Sequence, residues 1–299
     1  MVTASIVTYN HHLLDIEPVL RSLFASPVGM IWVIDHSYEI MPHLEEELNE
    51  FKGRVLTGEP ILRRRVAEEG LAITYIRHEN NGYGGGHNVA LREAQKLGAT
   101  YHLVVNPDIW FGPRVIPALL EYMEQHKDVG QMMPKVLYPN GEIQPLAKML
   151  PTPLDMFGRL CLPPFMIKKR NRRFELRDSE FRMTLNVPFL SGCFMFLRTE
   201  AVKEVGMFDE RFFLYAEDID FTRRMHSRYK TIYYPSVPVY HKFSRASRHS
   251  IYLLMVHIFS IMKYFNKWGW FDDAQRKACN QKLDNEIREQ QSRITRHDN

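Results

Sequence analysis

The sequence predicts an α/β protein that ends in a helical region, and three observations carry that prediction. Short β-rich runs end in polar loops: residues 4–9 run into Asn10, residues 30–34 into Asp35, and residues 71–76 into a loop over 79–88. The segment after the third run has Val89, Ala90, Leu91, Ala94 and Leu97 at helical spacing and stops at Gly98, so strands alternate with helices in a βαβ pattern. Residues 250–271 then form the longest apolar stretch of the chain.

The first run is methionine-led and reads without a signal-peptide pattern. A fourth strand, Leu103, Val104 and Val105, stops at Asn106, Pro107 and Asp108, because proline cannot donate to a sheet ladder. A carboxylate at the carboxyl end of a strand in an open α/β sheet lies where ligands bind. Asp108 is therefore a candidate oxygen ligand for a hard cation carrying a diphosphate, with an Asp-containing turn as the alternative. Further on, residues 212–224 set Glu217, Asp218 and Asp220 directly after an apolar and aromatic run. Acids at the rim of a cleft are where burial and like charges tune a proton acceptor, although acids in the first turn of a helix look the same in sequence.

The cluster Gly82, Gly84, Gly85 and Gly86 fails as a dinucleotide fingerprint, since the third glycine would fall at His87 and the loop does not follow the first strand. It reads as backbone that approaches a ligand closely or adopts positive φ, or as a plain turn.

In order and spacing these segments resemble the family 2 inverting glycosyltransferases of GT-A fold, and among them the bacterial rhamnosyltransferase-like enzymes of cell-surface polysaccharide synthesis. The matching pieces are Val7-Thr8-Tyr9-Asn10, the strand ending at Asp35, Glu79-Asn80-Asn81-Gly82 through Gly86-His87-Asn88, Asn106-Pro107-Asp108, Ser191-Gly192-Cys193, Phe208-Asp209-Glu210, Glu217-Asp218-Ile219-Asp220 with Arg224, and His241. The resemblance covers about residues 3–265. It implies a mixed, mostly parallel sheet flanked by helices, with a catalytic domain over 1–245, a nucleotide-binding half over 1–110, an acceptor half over 111–245, and a carboxyl-terminal helical extension over 246–299.

By that resemblance Thr8, Tyr9, Asn10 and Asp35 would hold the nucleotide, Asn80, Gly82, Gly86, Asn88 and Asn106 would shape the donor pocket, and Asp108 with His241 would bind a divalent metal, Mg2+ or Mn2+. Asp218 would be the catalytic base, and Ser191, Gly192, Glu217, Asp220 and Arg224 would lie on the acceptor side. Two departures stand out. The family's usual Asp-Asn after the second strand is Asp35-His36 here, and Asn106-Pro107-Asp108 offers one carboxylate where many relatives have two. The donor implied is dTDP-rhamnose, with a UDP- or GDP-sugar as alternative, and the acceptor is a glycan or lipid-linked glycan. The chemistry agrees: a hydroxyl is a poor nucleophile and needs a carboxylate within hydrogen-bond reach to take its proton. A nucleotidyltransferase would want a glycine-rich phosphate loop with Arg or Lys near the amino terminus, which is missing; a non-catalytic sugar-nucleotide binding protein is the remaining alternative.

A chain of 299 residues, 45% hydrophobic and 25% charged, suits one large α/β domain with an appendage. Its net charge of +4 is too small to argue for nucleic acid. Three irregularly spaced cysteines indicate neither a disulfide framework nor a zinc site, which suits a reducing cytoplasm. Residues 40–70, with Leu44, Leu48 and Phe51 at helical spacing before Arg63-Arg64-Arg65, read as a helical insertion with a solvated face. Residues 145–185, broken by five prolines, read as a loop beside the site whose basic block, Lys168, Lys169, Arg170, Arg172 and Arg173, faces lipid phosphates or solvent.

His257 and Lys263 interrupt the stretch over 250–271, so it falls short of a membrane span. It is expected either to dock on the sheet or to lie at the inner leaflet with Lys263, Lys267, Trp268 and Trp270 at headgroup level. The polar tail over 272–299 is expected to be a helix that frames a homodimer or frays.

Overall fold

The computed structural model describes residues 1–38, 42–58, 70–242 and 250–297. Four parallel strands form its first half: β1 (Val2–Thr8), β2 (Met30–Asp35), β3 (Ala72–Arg77) and β4 (Tyr101–Val105). β4 is buried along its whole length, as expected for a strand covered on both faces. The second half adds β5 (Ile109–Phe111), β6 (Val129–Leu137), β8 (Leu185–Asn186), β10 (Phe194–Arg198) and β11 (Lys230–His241) to the same sheet. The order is β3-β2-β1-β4-β10-β6-β11-β5, with β8 on β11, and β7 (Ala147–Lys148) pairs separately with β9 (Phe189–Leu190). β10 runs antiparallel to β4 and β6, and β11 runs parallel to β6, so the sheet is mixed and continuous through both halves.

Helices α1 (Leu13–Phe24), α2 (Pro42–Gly58), α3 (Gly82–Lys96), α4 (Val115–Gln125), α5 (Pro153–Cys161), α6 (Pro164–Phe174), α7 (Thr199–Val205), α8 (Glu217–His226), α9 (Ile251–Trp268) and α10 (Ala274–His297) cover the sheet and its end. The structure corrects three expectations. Helix α3 starts at Gly82 and not at 88, so the glycines are its first turns. The charged segment over 40–70 buries Leu44, Leu48 and Phe51 in α2, with the Phe51 ring 5.6 Å from that of Phe24; Arg63-Arg64-Arg65 lies outside the described residues.

The third correction concerns the proline-rich region, which forms α5 and α6 and not an irregular loop. Pro153 and Pro164 open the two helices, where a missing N–H costs nothing, and Thr152 and Asp155 cap each other at the start of α5. The basic block thus lies on α6, and three of its five cations pair with acids: Arg170 with Asp155, Arg172 with Asp178 and Arg173 with Asp284.

The carboxyl-terminal helices share the core of the sheet. Ile261, Tyr264 and Phe265 of α9 and Leu283 and Ile287 of α10 are buried in one cluster with the residues of β1, β4 and β6. The residues expected at headgroup level are engaged by the protein. Trp268 lies 4.1 Å beneath the Arg223 guanidinium, Trp270 stacks on Phe157, Lys267 reaches Asp209 and Asp220, and Lys263 donates to the Arg211 carbonyl. Arg223, 1% exposed, forms a bidentate pair with Asp273, 3% exposed, at 2.7 and 2.8 Å, and so couples α8 to the start of α10. Among the described residues no helix is long and apolar enough to cross a membrane.

Candidate active site

The parallel strands deliver their carboxyl ends to one edge. There Thr8 lies opposite Asp35, and its hydroxyl donates to Asp35 Oδ1 at 3.0 Å. Ser37 donates to the same oxygen at 2.7 Å and the Tyr75 hydroxyl to Oδ2 at 2.8 Å. Burial and this bond push the Tyr75 phenol well up. Thr8 and Asp35 are fully buried and spend their polar atoms on each other and on these neighbours; they brace the rim that presents the exposed Tyr9 and Asn10. His36, which replaces the expected asparagine, is buried as well, and a Cβ on Gly86 would come within 2.7 Å of its ring.

The glycine run answers a packing need. A Cβ at Gly82 would sit 2.0 Å from the Phe213 carbonyl oxygen, and one at Gly84 would sit 2.8 Å from Phe208. Asn80 Oδ1 accepts from the Gly82 N–H, which starts the helix, while the Tyr83 N–H donates to the Phe213 carbonyl. Asn88, expected in the donor pocket, is buried; it donates to the Phe208 carbonyl and to Glu210, and accepts from the Phe208 N–H. The start of α3 is thereby clamped to the loop that leads to Glu217 and Asp218. Tyr215 and Ala216, both in the left-handed region at φ 68° and 64°, turn the chain sharply just before those acids.

Asp218 is half-buried and held by two backbone donors, Gly192 N–H to Oδ2 at 2.9 Å and Ile219 N–H to Oδ1 at 2.8 Å. Burial raises its pKa, against the pull of these N–H groups and of Lys148. Glu217 is more deeply buried, and burial together with the neighbouring Asp218 holds its carboxyl well above the ordinary value; its Oε2 has no partner among the described residues. Ser191, also half-buried, begins the turn that presents Gly192. A Cβ on Gly192 would lie 3.2 Å from the Asp218 Cβ, so a glycine there leaves room for that carboxylate.

Tyr83 joins the two ends of the site. Its hydroxyl lies 2.9 Å from Asn106 Oδ1 and 2.7 Å from the Gly192 carbonyl oxygen. It also lines a cavity of about 460 Å3 with His11, Asn106, Pro107, Asp108, Trp110 and Lys242. Asp108, which lines it, has its Oδ1 3.2 Å from Nε2 of the buried His241, brought there because β11 pairs with β5 so that His241 faces Ile109. Two ligands of one ion with bonds near 2.1 Å sit roughly 3 Å apart, so the pair fits a shared divalent cation. Among the described residues no group of three or more His, Cys, Asp or Glu side chains gathers, and the other ligands would come from a bound diphosphate and water.

The acceptor-side expectation needs correction at two residues. Asp220 is fully buried and bonds Trp268 Nε1, Arg224 and Lys267, while Arg224 also donates to the Val205, Gly206 and Met207 carbonyls. Both are structural: Asp220 stands on the face of α8 that meets α9, about 200° round the helix from Asp218, and Arg224 ties it to the carbonyls of residues 205–207. Tyr83 was not singled out from the sequence, although one aromatic ring among four glycines was a signal. Gln144, described below, left none.

A family model described as "Glycosyl transferase family 2" matches residues 3–206, and one described as "Glycosyltransferase (GlcNAc)" matches residues 120–295. The N-acetylglucosaminyl-diphospho-decaprenol L-rhamnosyltransferases of two Mycobacterium tuberculosis strains, CDC 1551 and H37Rv, are 33% identical over 144 residues. The match spans 46% of this chain and 46% of those relatives. Among solved structures, GalNAc-T7 with UDP, GalNAc and Mn2+ superposes with a TM-score of 0.57 at 16% identity, over 81% of this chain and 43% of its own. The Pyrobaculum calidifontis mannosyltransferase PcManGT with GDP-Man and Mn2+ gives 0.52 at 17% identity, over 83% and 58%. These likenesses show the fold, which is that of the GT-A glycosyltransferases.

Proposed function

Because this chain belongs to glycosyl transferase family 2, we propose that it transfers one sugar from a nucleotide-sugar donor to a hydroxyl of a glycan or lipid-linked acceptor, with inversion at the anomeric carbon. One observation carries the reading: Tyr83 spans Asn106 and Gly192, and Gly192 holds Asp218, so the diphosphate end and the base belong to one rigid unit. Asp218, its carboxylate oriented by two N–H groups, takes the proton of the attacking hydroxyl. Burial and the neighbouring Asp218 raise the Glu217 pKa, which favours its neutral form beside that carboxylate. Asp108 and His241 would hold a divalent ion, which neutralises charge developing on the leaving nucleoside diphosphate when bound. The imidazole favours Mn2+ over Mg2+ at this pair.

The name of the mycobacterial relatives gives a rhamnosyl transfer to a decaprenyl-linked sugar, which supports a rhamnose donor here; we take dTDP-rhamnose as that donor, with UDP- and GDP-sugars as the alternatives. A lipid-linked acceptor also fits the surface of α9. Ile251, Tyr252, Met255, Phe259 and Met262 are exposed and fall within an arc of about 100° on the face opposite the docked one. Such an apolar row lies well in a membrane interface. Thermal unfolding with dTDP-rhamnose, UDP- and GDP-sugars, each with Mn2+, tests the donor, because a ligand that binds the folded state raises the Tm. Stabilisation by dTDP-rhamnose alone is expected; stabilisation by none of them would reject the donor-site reading.

A further inference from the structure

We infer that Gln144 is a positioning residue of the metal site, fixing the tautomer of His241 so that its Nε2 lone pair faces Asp108. This rests on the reading that Asp108 and His241 hold the divalent ion.

Gln144 is 3% exposed, as is His241. Its backbone is pinned where the chain doubles back after β6: the Gln144 N–H donates to the Val136 carbonyl, and Ile143 bridges Leu137. The side-chain amide leaves little freedom. Its Nε2 donates to the His241 carbonyl at 2.7 Å and to the Leu137 carbonyl at 3.3 Å. Carbonyls only accept, so these two contacts must meet the NH2 end of the amide, and the end toward the imidazole must be the oxygen. That oxygen, Oε1, lies 3.0 Å from His241 Nδ1. An amide oxygen cannot donate, so Nδ1 carries the proton and donates it.

In a neutral imidazole one nitrogen is a donor and the other an acceptor. With Nδ1 protonated, the lone pair falls on Nε2, the nitrogen 3.2 Å from Asp108 Oδ1. The same bond sets the ring plane. Groups that orient a metal-ligating histidine through its second nitrogen typically contribute 10- to 100-fold in metal affinity. Gln144 reaches the site from a different part of the chain than either ligand, and both its amide ends are committed.

The test is Mn2+ affinity, read from the free-ion electron paramagnetic resonance signal during titration in the presence of UDP or dTDP. Gln144→Leu should weaken Mn2+ binding roughly 10- to 100-fold. In a His241→Ala background Gln144→Leu should have no further effect, since the two act through one contact. Full affinity in Gln144→Leu alongside a loss in Asp108→Ala would overturn this inference and leave the metal site standing. Full affinity in Asp108→Ala would instead reject the metal-site reading itself. Should Gln144→Leu fail to fold, 15N spectra of the wild-type histidines decide the matter. A protonated Nδ1 at His241 is expected, and a proton on Nε2 of the neutral ring would refute the inference.

Discussion

The backbone N–H of Gly192 donates to Asp218 Oδ2 at 2.9 Å, and the carbonyl of the same glycine lies 2.7 Å from the Tyr83 hydroxyl. One peptide segment thus sets the direction of a carboxylate and receives the group that spans to Asn106. Since a side chain at 192 would press on Asp218, the turn over 191–193 holds that carboxylate through its backbone.

Asp218→Asn keeps the shape but, with a single amide oxygen, retains only one of the two N–H contacts, and it cannot accept a proton. Turnover should fall by roughly 10² to 10⁴ while donor affinity stays near wild type. A variant that keeps most of its rate would move the base elsewhere, with Glu217 next.

Tyr83→Phe removes the hydroxyl and leaves two partly buried acceptors with one donor fewer. A stability loss of about 1–3 kcal/mol is expected, together with a fall in kcat of roughly 10- to 100-fold as the base loses its register with the diphosphate end. Unchanged kcat in a folded Tyr83→Phe enzyme would show that the bridge is structural only.

The buried acids make a signed pH prediction. Glu217 has a folded pKa raised above the ordinary 4.5, chiefly by burial, so the folded state binds more protons than the unfolded state above that pH. Stability therefore declines as pH rises from about 4.5 toward the raised value. Glu217→Gln should raise the Tm at neutral pH, and the gain should vanish as pH falls below the ordinary value. A Tm difference that does not change with pH would contradict this.

Asp273→Ala leaves the Arg223 guanidinium buried without its carboxylate partner. Breaking such a pair typically costs about 3–5 kcal/mol. Urea unfolding should show that loss, and a variant as stable as wild type would mean that α10 contributes little to holding α8.

For the surface of α9, vesicle co-sedimentation is the measurement. Binding to anionic vesicles should draw on the apolar row and on Lys168 and Lys169, each worth about 1 kcal/mol near an anionic surface. Salt should weaken it only in part. Ile251→Ser with Phe259→Ser should abolish it. No sedimentation of the wild type at low salt would end the membrane-surface proposal.

The α/β class, the strand ends at Asp35 and Asp108 and the helix behind Asp218 were legible in the sequence, because alternating β-rich runs, proline stops and helical spacing are local signals. Asn88, Asp220 and Arg224 show the limit of such reading. Each is a polar residue in a suggestive motif, yet packing gives each a structural partner, the loop over 208–210 for Asn88, α9 for Asp220 and the carbonyls of residues 205–207 for Arg224. Pairing across the fold is invisible along the chain. The glycine run was open to a ligand contact or a turn, and only the positions of Phe208, Phe213 and His36 decided that it packs α3 against the site. Gln144 and His241 are 97 residues apart and meet because of the register of β11 with β5 and the reversal after β6. Local spacing dictates which elements form; which polar atoms are left for chemistry depends on desolvation and hydrogen-bond partners that only the packed structure supplies.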